Sequence, residues 1–311
     1  MIFDAHSDLP TLIHDERMNG RSLVLERNFE RFFGPWVRAR VMAIWTRPER
    51  RGDATAYGFE VLNSLLKDVG ESERFELVTT VDGMKNAIGD GKVALWLSLE
   101  GGEPIGESLG LLELFHRLGL RVLTLTWSLR NAIADGVFER TGSGLTNFGV
   151  EVVGKAEELG ILLDLSHIND RGFWDALDVT AFPVIASHSN ARRLCDHPRN
   201  LTDEQIKAIA ERDGVIGAVA IPSFIHRERA TLEGYVEHIT YLVDLAGYRH
   251  VGLGFDFVYY LSGWSGRSVE GFEDESRIPH LIERLSETLS EKEVKAVTFE
   301  NFERVFERVV G

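Results

Sequence analysis

Short apolar segments bounded by glycine, proline or charged residues recur along the chain. Eight of them are four to nine residues long and rich in valine, isoleucine and leucine, as buried strands are. They span Ile2–His6, Val37–Trp45, Val93–Glu100, Val122–Trp127, Ile161–His167, Val184–Ser187, Val215–Ile221 and Val251–Phe257. Because they are apolar at nearly every position rather than at alternate ones, they predict a parallel sheet covered on both faces.

Segments with helical spacing of apolar residues lie between these strands. They are Ala56–Val69, Leu111–Leu118, Gly149–Leu159 and Thr202–Glu211, and the stretch 280–309 adds two terminal helices. Thr202 is predicted to cap its helix, with Gln205 completing a capping box. Eight strands alternating with helices predict an α/β fold of the (β/α)8 TIM-type barrel class, with a doubly wound open sheet as the alternative.

The chain has 311 residues and no linker, low-complexity segment or break in composition, so we expect one domain over residues 1–311. Arg47–Asp53 and Gly263–Ser276 are polar enough to form surface loops.

Composition and charge exclude several classes of function. The formal net charge is −15, and a surface of that sign repels a phosphate backbone, so nucleic acid is not an expected partner. The single cysteine, Cys195, excludes a cysteine-based metal cluster, so a metal must be held by His, Asp and Glu. No signal-peptide pattern or apolar stretch of about 18 residues is present, so we expect a cytoplasmic protein without membrane association.

Polar side chains that can bind metals follow the predicted strands, at the point where each strand ends. In a (β/α)8 barrel these ends converge on one mouth, where catalysis takes place. The residues are His6, Asp8, Glu100, His167, His188 and Asp256.

Each of these residues also has an ordinary structural interpretation. His6 and Asp8 point to the same face of an extended chain and make half of a zinc-type site, although Asp8 could simply open the next turn. His167 and His188 each follow a serine at a strand end, 21 residues apart. A single buried histidine is more often a hydrogen-bonded core residue, but the repeated geometry favours a pair of ligands.

Each candidate carboxylate likewise has a functional and a structural interpretation. Glu100 precedes two glycines that let the backbone turn tightly around a site, whereas a solvated strand end is the alternative. Asp256 could shuttle protons or cap a loop. Asp4 and Asp164 are interpreted as structural. The other histidines are expected at the surface, namely His14, His116, His197, His226, His238, His250 and His280.

Six segments taken in order resemble the membrane dipeptidase family, which are binuclear zinc peptidases of the amidohydrolase superfamily. The segments are DAHSDLP (4–10), LEGG (99–102), GLTNFGVEVV (144–153), ILLDLSHIND (161–170), PVIASHSNARRLCDHPRN (183–200) and VGLGFDF (251–257). The resemblance implies a metal-dependent hydrolase architecture and hydrolysis of dipeptides through a water bridged by two metal ions.

The resemblance also implies roles for individual residues. His6, Asp8 and Glu100 would bind one divalent metal, and Glu100 would also bind the second together with His167 and His188. The expected metal is zinc, although this ligand set also accepts manganese, iron or cobalt. Asp256 would relay the proton to the departing amine. Arg199, in the segment HPRN, would hold the C-terminal carboxylate of the substrate.

This sequence departs from the family pattern at two positions. Trp127 stands where the family has a histidine that contacts the substrate carbonyl, and an indole donates only one hydrogen bond and carries no charge. Val258 stands where many relatives have a second aspartate. Trp127 is therefore expected in the substrate site without that histidine's role.

Two alternatives stay open beside the dipeptidase. One is a related amidohydrolase acting on another amide or lactam that carries a carboxylate. The other is a metal-binding barrel that has lost turnover. The expected partner is a small molecule, a dipeptide with a free C-terminal carboxylate, and self-association as a homodimer also stays open.

Overall fold

The strands of the protein form one parallel sheet that closes on itself. The structure, a computed structural model, describes residues 1–261 and 268–311. Within them the strands are β1 (Ile2–Ser7), β2 (Val37–Trp45), β3 (Phe75–Val78), β4 (Val93–Glu100), β5 (Leu120–Thr124), β6 (Leu162–Asp164), β7 (Val184–Ala186), β8 (Val215–Ala218) and β9 (Val251–Leu253). They pair in the order β2-β1-β9-β8-β7-β6-β5-β4-β3, and β2 also pairs with β4, which closes an eight-stranded barrel. The predicted fold class is confirmed.

The short strand β3 was not predicted. It pairs with the first half of β4, while β5 pairs with the second half, so β3 lies outside the closed ring. Its four residues include Glu76, and only Phe75 and Val78 are buried, so the segment lacks the continuous apolar character of the barrel strands.

Helices follow the strands and cover the barrel. Among the described residues they are α1 (Leu9–Met18), α2 (Val24–Arg27), α3 (Phe29–Phe32), α4 (Ala54–Gly70), α5 (Val81–Gly89), α6 (Leu109–Arg117), α7 (Asn147–Leu159), α8 (Asp170–Val179), α9 (Asp203–Glu211), α10 (Pro222–Ile225), α11 (Leu232–Ala246), α12 (Ile278–Ser286), α13 (Glu291–Lys295) and α14 (Asn301–Val309). A π-helical turn, Ala296–Glu300, joins α13 to α14. The capping box of Thr202 and Gln205 at the start of α9 is confirmed. None of these helices is both long and apolar enough to cross a membrane.

The two predicted surface loops have different outcomes. Pro48–Asp53 is a 3-10 helix rather than an irregular loop, with none of its residues buried. Residues 263–267 of the other loop lie outside the described residues. Glu275, near the end of that loop, is buried rather than exposed because it pairs with the buried guanidinium of Arg40 at 3.0 Å.

An aromatic cluster closes the end of the barrel where the strands begin. The ring of Phe3 on β1 lies 5.2–5.8 Å from the rings of Phe299, Phe302 and Phe306, and Trp96 on β4 also contacts Phe306. Buried aromatic side chains contribute large apolar areas to a core. The opposite end, where the strands finish, is left for polar side chains.

Candidate active site

The six side chains expected at the strand ends come together in one cavity. His6 lies on β1 and Asp8 directly follows it, Glu100 ends β4, and the other three follow β6, β7 and β9. The cavity has a volume of about 550 Å³ and is lined by Asp8, Glu100, His167 and Asp256. The geometry therefore agrees with the prediction that this mouth collects the candidate ligands.

His6 is the centre of one half of this cluster. Its Nε2 atom lies 3.6 Å from Glu100 Oε1, 3.9 Å from Asp256 Oδ1 and 4.0 Å from Asp8 Oδ1. The His6 Nε2 and Asp8 Oδ1 atoms are buried and have no hydrogen-bond partner among the described residues. Buried polar atoms normally have partners, so two acceptor atoms that lack one and face each other fit a cation held between them.

Glu100 joins this half of the cluster to the other. Its Oε1 atom lies 2.9 Å from His167 Nε2 and 3.5 Å from His188 Nε2. The two Nε2 atoms are themselves 2.8 Å apart. A single carboxylate between two sets of imidazole nitrogens has the position of a bridging ligand.

Two of these residues have a backbone conformation that is uncommon for side chains other than glycine. The φ angle is +68° at His167 and +53° at Asp256. Left-handed backbone at non-glycine residues is costly and tends to occur at functional sites. The predicted strands that contain these residues end early, at Asp164 and Leu253, because the chain turns out of the ladder to aim the side chains into the cavity.

Serine hydroxyls fix the orientation of the two later histidines. His167 Nδ1 lies 2.9 Å from Ser128 Oγ, and His188 Nδ1 lies 2.7 Å from Ser187 Oγ. Ser187 donates in turn to Asp164 Oδ2 at 2.6 Å. Since that hydroxyl has only one proton, it accepts from His188 Nδ1, which leaves the lone pair of the ring on Nε2, toward the cavity.

Asp164 and Gly254 hold Ser187 in the position from which it contacts His188. Asp164 also accepts hydrogen bonds from the backbone N–H groups of Ser166 and Ser187 and from the hydroxyl of Thr124. A Cβ at Gly254 would lie 1.8 Å from the Ser187 carbonyl oxygen, so glycine is required there for the strand to approach. The structural interpretation of Asp164 therefore includes support of a candidate ligand.

Burial and mutual repulsion raise the pKa of each carboxyl group in the cluster. Burial raises the pKa of Asp8 to about 7. Burial, followed by the charges of Asp8 and Asp256, raises the pKa of Glu100 well above its usual value. The pKa of Asp256 rises for the same two kinds of reason, burial and the charge of Asp8. Crowded buried carboxylates of this kind are stabilised by a bound cation.

Burial has the opposite effect on the imidazoles. It lowers the pKa of His6 to about 4, and it lowers the pKa values of His167 and His188 well below their usual value, with nearby positive charge as a further cause. The imidazoles are therefore neutral at physiological pH, which is the form that binds metals. The donor set, the two orphaned atoms and the carboxylate crowding together fit divalent cations held by nitrogen and oxygen.

Arg199 lies in the same cavity and is the cation among its lining residues. It is 3% exposed, and it donates from Nη2 to the His188 carbonyl oxygen at 3.0 Å and from Nη1 to Ser189 Oγ at 3.5 Å. Its Nε atom is buried and has no hydrogen-bond partner within residues 1–261 and 268–311. Burial lowers the pKa of Arg199 to about 10, so the side chain is charged at neutral pH and can receive an anion.

Trp127 and Val258 also line the cavity, so both departures from the family pattern lie at the site. The sequence interpretation missed Trp45, whose indole is 5.4 Å from that of Trp127. The signal was available, because Trp45 ends its apolar segment as the candidate ligands end theirs.

Three histidines expected at the surface are placed differently by the structure. His197 lines the cavity and packs against Phe224 at 4.5 Å. His14 and His238 are buried and hydrogen-bonded, His14 to Ser64 and His238 to the Ile225 carbonyl oxygen. Their helices present them to the core, a direction that sequence position alone does not reveal.

A buried ion-pair chain supports the start of the site. Asp4 on β1 accepts a hydrogen bond from the Phe255 backbone N–H at 2.9 Å, and its other oxygen lies 2.9 Å from Arg40 Nε. Arg40 in turn contacts Glu275. Asp4 thus ties β1, which carries His6, to the segment just before Asp256.

Comparison with protein families gives one match over nearly the whole chain. The sequence model of the family described as membrane dipeptidase, peptidase family M19, matches residues 1–310. Dipeptidase 3 of Mus musculus is 30% identical over 324 aligned residues, covering 99% of this chain and 64% of its own length. Dipeptidase tcpJ of Claviceps purpurea is 32% identical over 243 residues, covering 76% of this chain and 56% of its own length. The chain thus spans less than two thirds of the length of these curated relatives.

Two solved structures superpose on the chain over nearly their full length. A dipeptidase described as a metallopeptidase of family M19 has a TM-score of 0.88 and 29% identity, covering 100% of this chain and 98% of its own. A metallopeptidase from Rhodobacter sphaeroides, solved with a phosphinate mimic of the dipeptide L-Ala-D-Ala, has a TM-score of 0.86 and 26% identity, with 99% of each chain covered.

Proposed function

Because the chain belongs to the membrane dipeptidase family, peptidase family M19, we propose that it is a metal-dependent dipeptidase. The observation that carries the proposal is the content of one cavity, where a complete set of nitrogen and oxygen donors lies beside a buried arginine. A dipeptide carries a scissile amide and a free carboxylate close together, and this cavity offers groups for both.

The donor set divides into two overlapping halves. His6, Asp8 and Glu100 would hold one divalent cation, and Glu100, His167 and His188 would hold the other. When bound, such cations lower the pKa of a water molecule and polarise the scissile carbonyl. Zinc is the metal we propose, since mixed imidazole and carboxylate donors suit it.

Asp256 moves the proton in this proposal. Its side chain is 13% exposed, and Oδ1 lies 3.9 Å from His6 Nε2, so the carboxylate faces the space beside the candidate ligands, where a nucleophilic water would lie. It accepts the proton of that water and donates it to the amine nitrogen as the C–N bond breaks. The left-handed backbone at Asp256 keeps the carboxylate turned into the cavity.

Arg199 binds the C-terminal carboxylate of the dipeptide. Its guanidinium is already oriented by the His188 carbonyl oxygen and Ser189, so little conformational entropy is lost when an anion binds. Requiring a free carboxylate next to the scissile bond restricts the site to short substrates. A longer peptide would place an uncharged amide against the buried guanidinium.

Hydrolysis of a panel of substrates by the zinc- or manganese-loaded protein tests the proposal. We expect turnover of dipeptides that is abolished in the Asp256→Asn variant while its bound metal is retained. The panel includes an N-acyl amino acid and a β-lactam, since Arg199 would accept any substrate with a suitably placed carboxylate. Turnover of these compounds without turnover of any dipeptide would contradict the dipeptidase and favour the related amidohydrolase.

A further inference from the structure

The cavity that holds the candidate ligands has a large apolar part beside its polar groups. Its volume of about 550 Å³ is that of a pocket for a drug-sized ligand. Beyond the polar groups at the strand ends, its lining includes the apolar side chains of Trp45, Trp127, Phe138, Ile221, Phe224 and Val258. The space not taken by the scissile amide and the carboxylate therefore favours apolar groups.

Two indoles stand on either side of Glu100. Trp45 ends β2 and is the register partner of Glu100 on β4, and Trp127 follows β5, whose Thr124 is the partner of Glu100 on the other side. Their ring centroids are 5.4 Å apart with an interplanar angle of 57°, so they form one tilted aromatic pair, which we call the indole pair. The indole pair therefore borders the carboxylate that lies between the two halves of the donor set.

Backbone geometry allows this close approach. Gly101 has a φ of +92°, and a Cβ there would lie 3.0 Å from the Trp127 backbone nitrogen. The Trp127 ring lies 6.1 Å from the ring of His167. The Trp127 indole is thus held against the metal-ligand cluster rather than directed to solvent.

Arg199 lies across the cavity from Trp45, because it is hydrogen-bonded to the carbonyl oxygen of His188 after β7, and β7 is four strands from β2 in either direction round the barrel. Its guanidinium lies 5.4 Å from the ring centroid of Phe224. When the substrate carboxylate binds Arg199, the C-terminal residue occupies that side of the cavity. The scissile amide then lies at Glu100, and the residue on its N-terminal side faces the indole pair.

We infer that the indole pair, Trp45 and Trp127, makes this site selective for dipeptides whose N-terminal residue carries a large apolar side chain. The inference rests on the proposed dipeptidase activity and assigns its substrate class. Aromatic contacts add free energy beyond the area they bury, so a phenyl side chain gains from the pair and a hydrogen atom does not. A carboxylate side chain would lose its hydration next to Asp8, Glu100 and Asp256.

The test compares kcat/KM of the zinc-loaded protein for phenylalanyl-glycine, glycyl-phenylalanine, glycyl-glycine, aspartyl-glycine and lysyl-glycine. We expect phenylalanyl-glycine to exceed glycyl-glycine by about tenfold to 100-fold, with most of the difference in KM. Trp45→Ala and Trp127→Ala should each reduce this ratio. The matched control is Trp174→Ala, because Trp174 is 41% exposed on α8 and should leave the ratio unchanged.

Several outcomes would overturn the inference. A preference for glycyl-phenylalanine would move the apolar subsite to the C-terminal residue, and a preference for lysyl-glycine would show that the indoles select a cation. If Trp45→Ala and Trp127→Ala both leave the ratio unchanged and unfold at the same temperature as the unsubstituted protein, the indole pair does not cause the preference.

A binding measurement separates this inference from the proposed function. Calorimetric titration of the zinc-loaded protein with phosphinate analogues of the same dipeptides requires no turnover. If the analogues bind in the expected order but no dipeptide is hydrolysed, the specificity stands and the dipeptidase proposal fails. If hydrolysis occurs without any order among the substrates or analogues, the dipeptidase stands and the specificity fails. Neither binding nor hydrolysis would overturn both.

Discussion

Replacing Ser187 by alanine should weaken metal binding although Ser187 is not itself a ligand. The Ser187 hydroxyl lies between Asp164 Oδ2 at 2.6 Å and His188 Nδ1 at 2.7 Å. Ser187→Ala leaves both groups with one partner fewer, and a lost hydrogen bond of this kind costs about 1–1.5 kcal/mol. The sum, about 2–3 kcal/mol, corresponds to a loss of roughly 30-fold to 150-fold in affinity. This lies near the upper end of the loss, about tenfold to 100-fold, that is typical when a partner of a ligating histidine is removed.

The affinity is measured by competition between the metal-free protein and a chromophoric zinc chelator. The matched control is Ser98→Ala, because Ser98 is also a buried serine beside the barrel interior, but its hydroxyl has no hydrogen-bond partner in the part of the chain that the structure describes. We expect the control to bind zinc as the unsubstituted protein does. A Ser187→Ala variant that binds within about twofold of the unsubstituted protein, or a control that weakens binding equally, would refute the hydrogen-bond argument.

Three further predictions concern the substrate, pH and stability. Arg199→Lys should raise KM for a dipeptide by about tenfold or more, because a lysine cannot form two parallel hydrogen bonds to a carboxylate. Steady-state kinetics measures this change, and an unchanged KM would show that Arg199 does not bind the substrate carboxylate. Burial raises the pKa of Glu275 to about 7 in the folded protein, against about 4.5 when unfolded, so the contribution of Glu275 to the free energy of unfolding should fall by roughly 3 kcal/mol as pH rises through this window. Glu275→Gln should flatten that slope in urea unfolding at pH 4, 5.5 and 7.5, and parallel slopes would contradict the assignment. Phe3→Ala should lower the free energy of unfolding by about 3–5 kcal/mol by opening the aromatic cluster, whereas a loss below about 1 kcal/mol would show that the cluster repacks.

Much of the fold followed from apolar continuity along the strands. A barrel strand such as Val93–Glu100 is buried at every position, so the sequence shows an uninterrupted apolar segment. Among the described residues, the strand β3, Phe75–Val78, pairs with a single strand, β4, and it is half-buried, so its segment carries no such signal. The ends of the strands were harder to predict from the sequence. His167 and Asp256 leave the sheet through a left-handed backbone conformation, which histidine and aspartate do not indicate by their residue type.

The candidate ligands could be predicted because parallel strands end on the same side of a barrel. Sequence position alone therefore brought six residues to one mouth. The supporting contacts could not be predicted, because they depend on register between strands. The chain from Asp164 through Ser187 to His188 joins β6 to the end of β7, and His197 reaches the cavity from a loop whose path is set by tertiary packing.

The central claim is that this mouth is a dipeptidase site that works through metals. The most direct test is to add zinc in steps to the metal-free protein while measuring both bound zinc per chain and hydrolysis of a dipeptide. We predict that hydrolysis rises with bound zinc and saturates at about two ions per chain. A protein that binds no zinc at this site, or that reaches full occupancy without hydrolysing any dipeptide, would contradict the account.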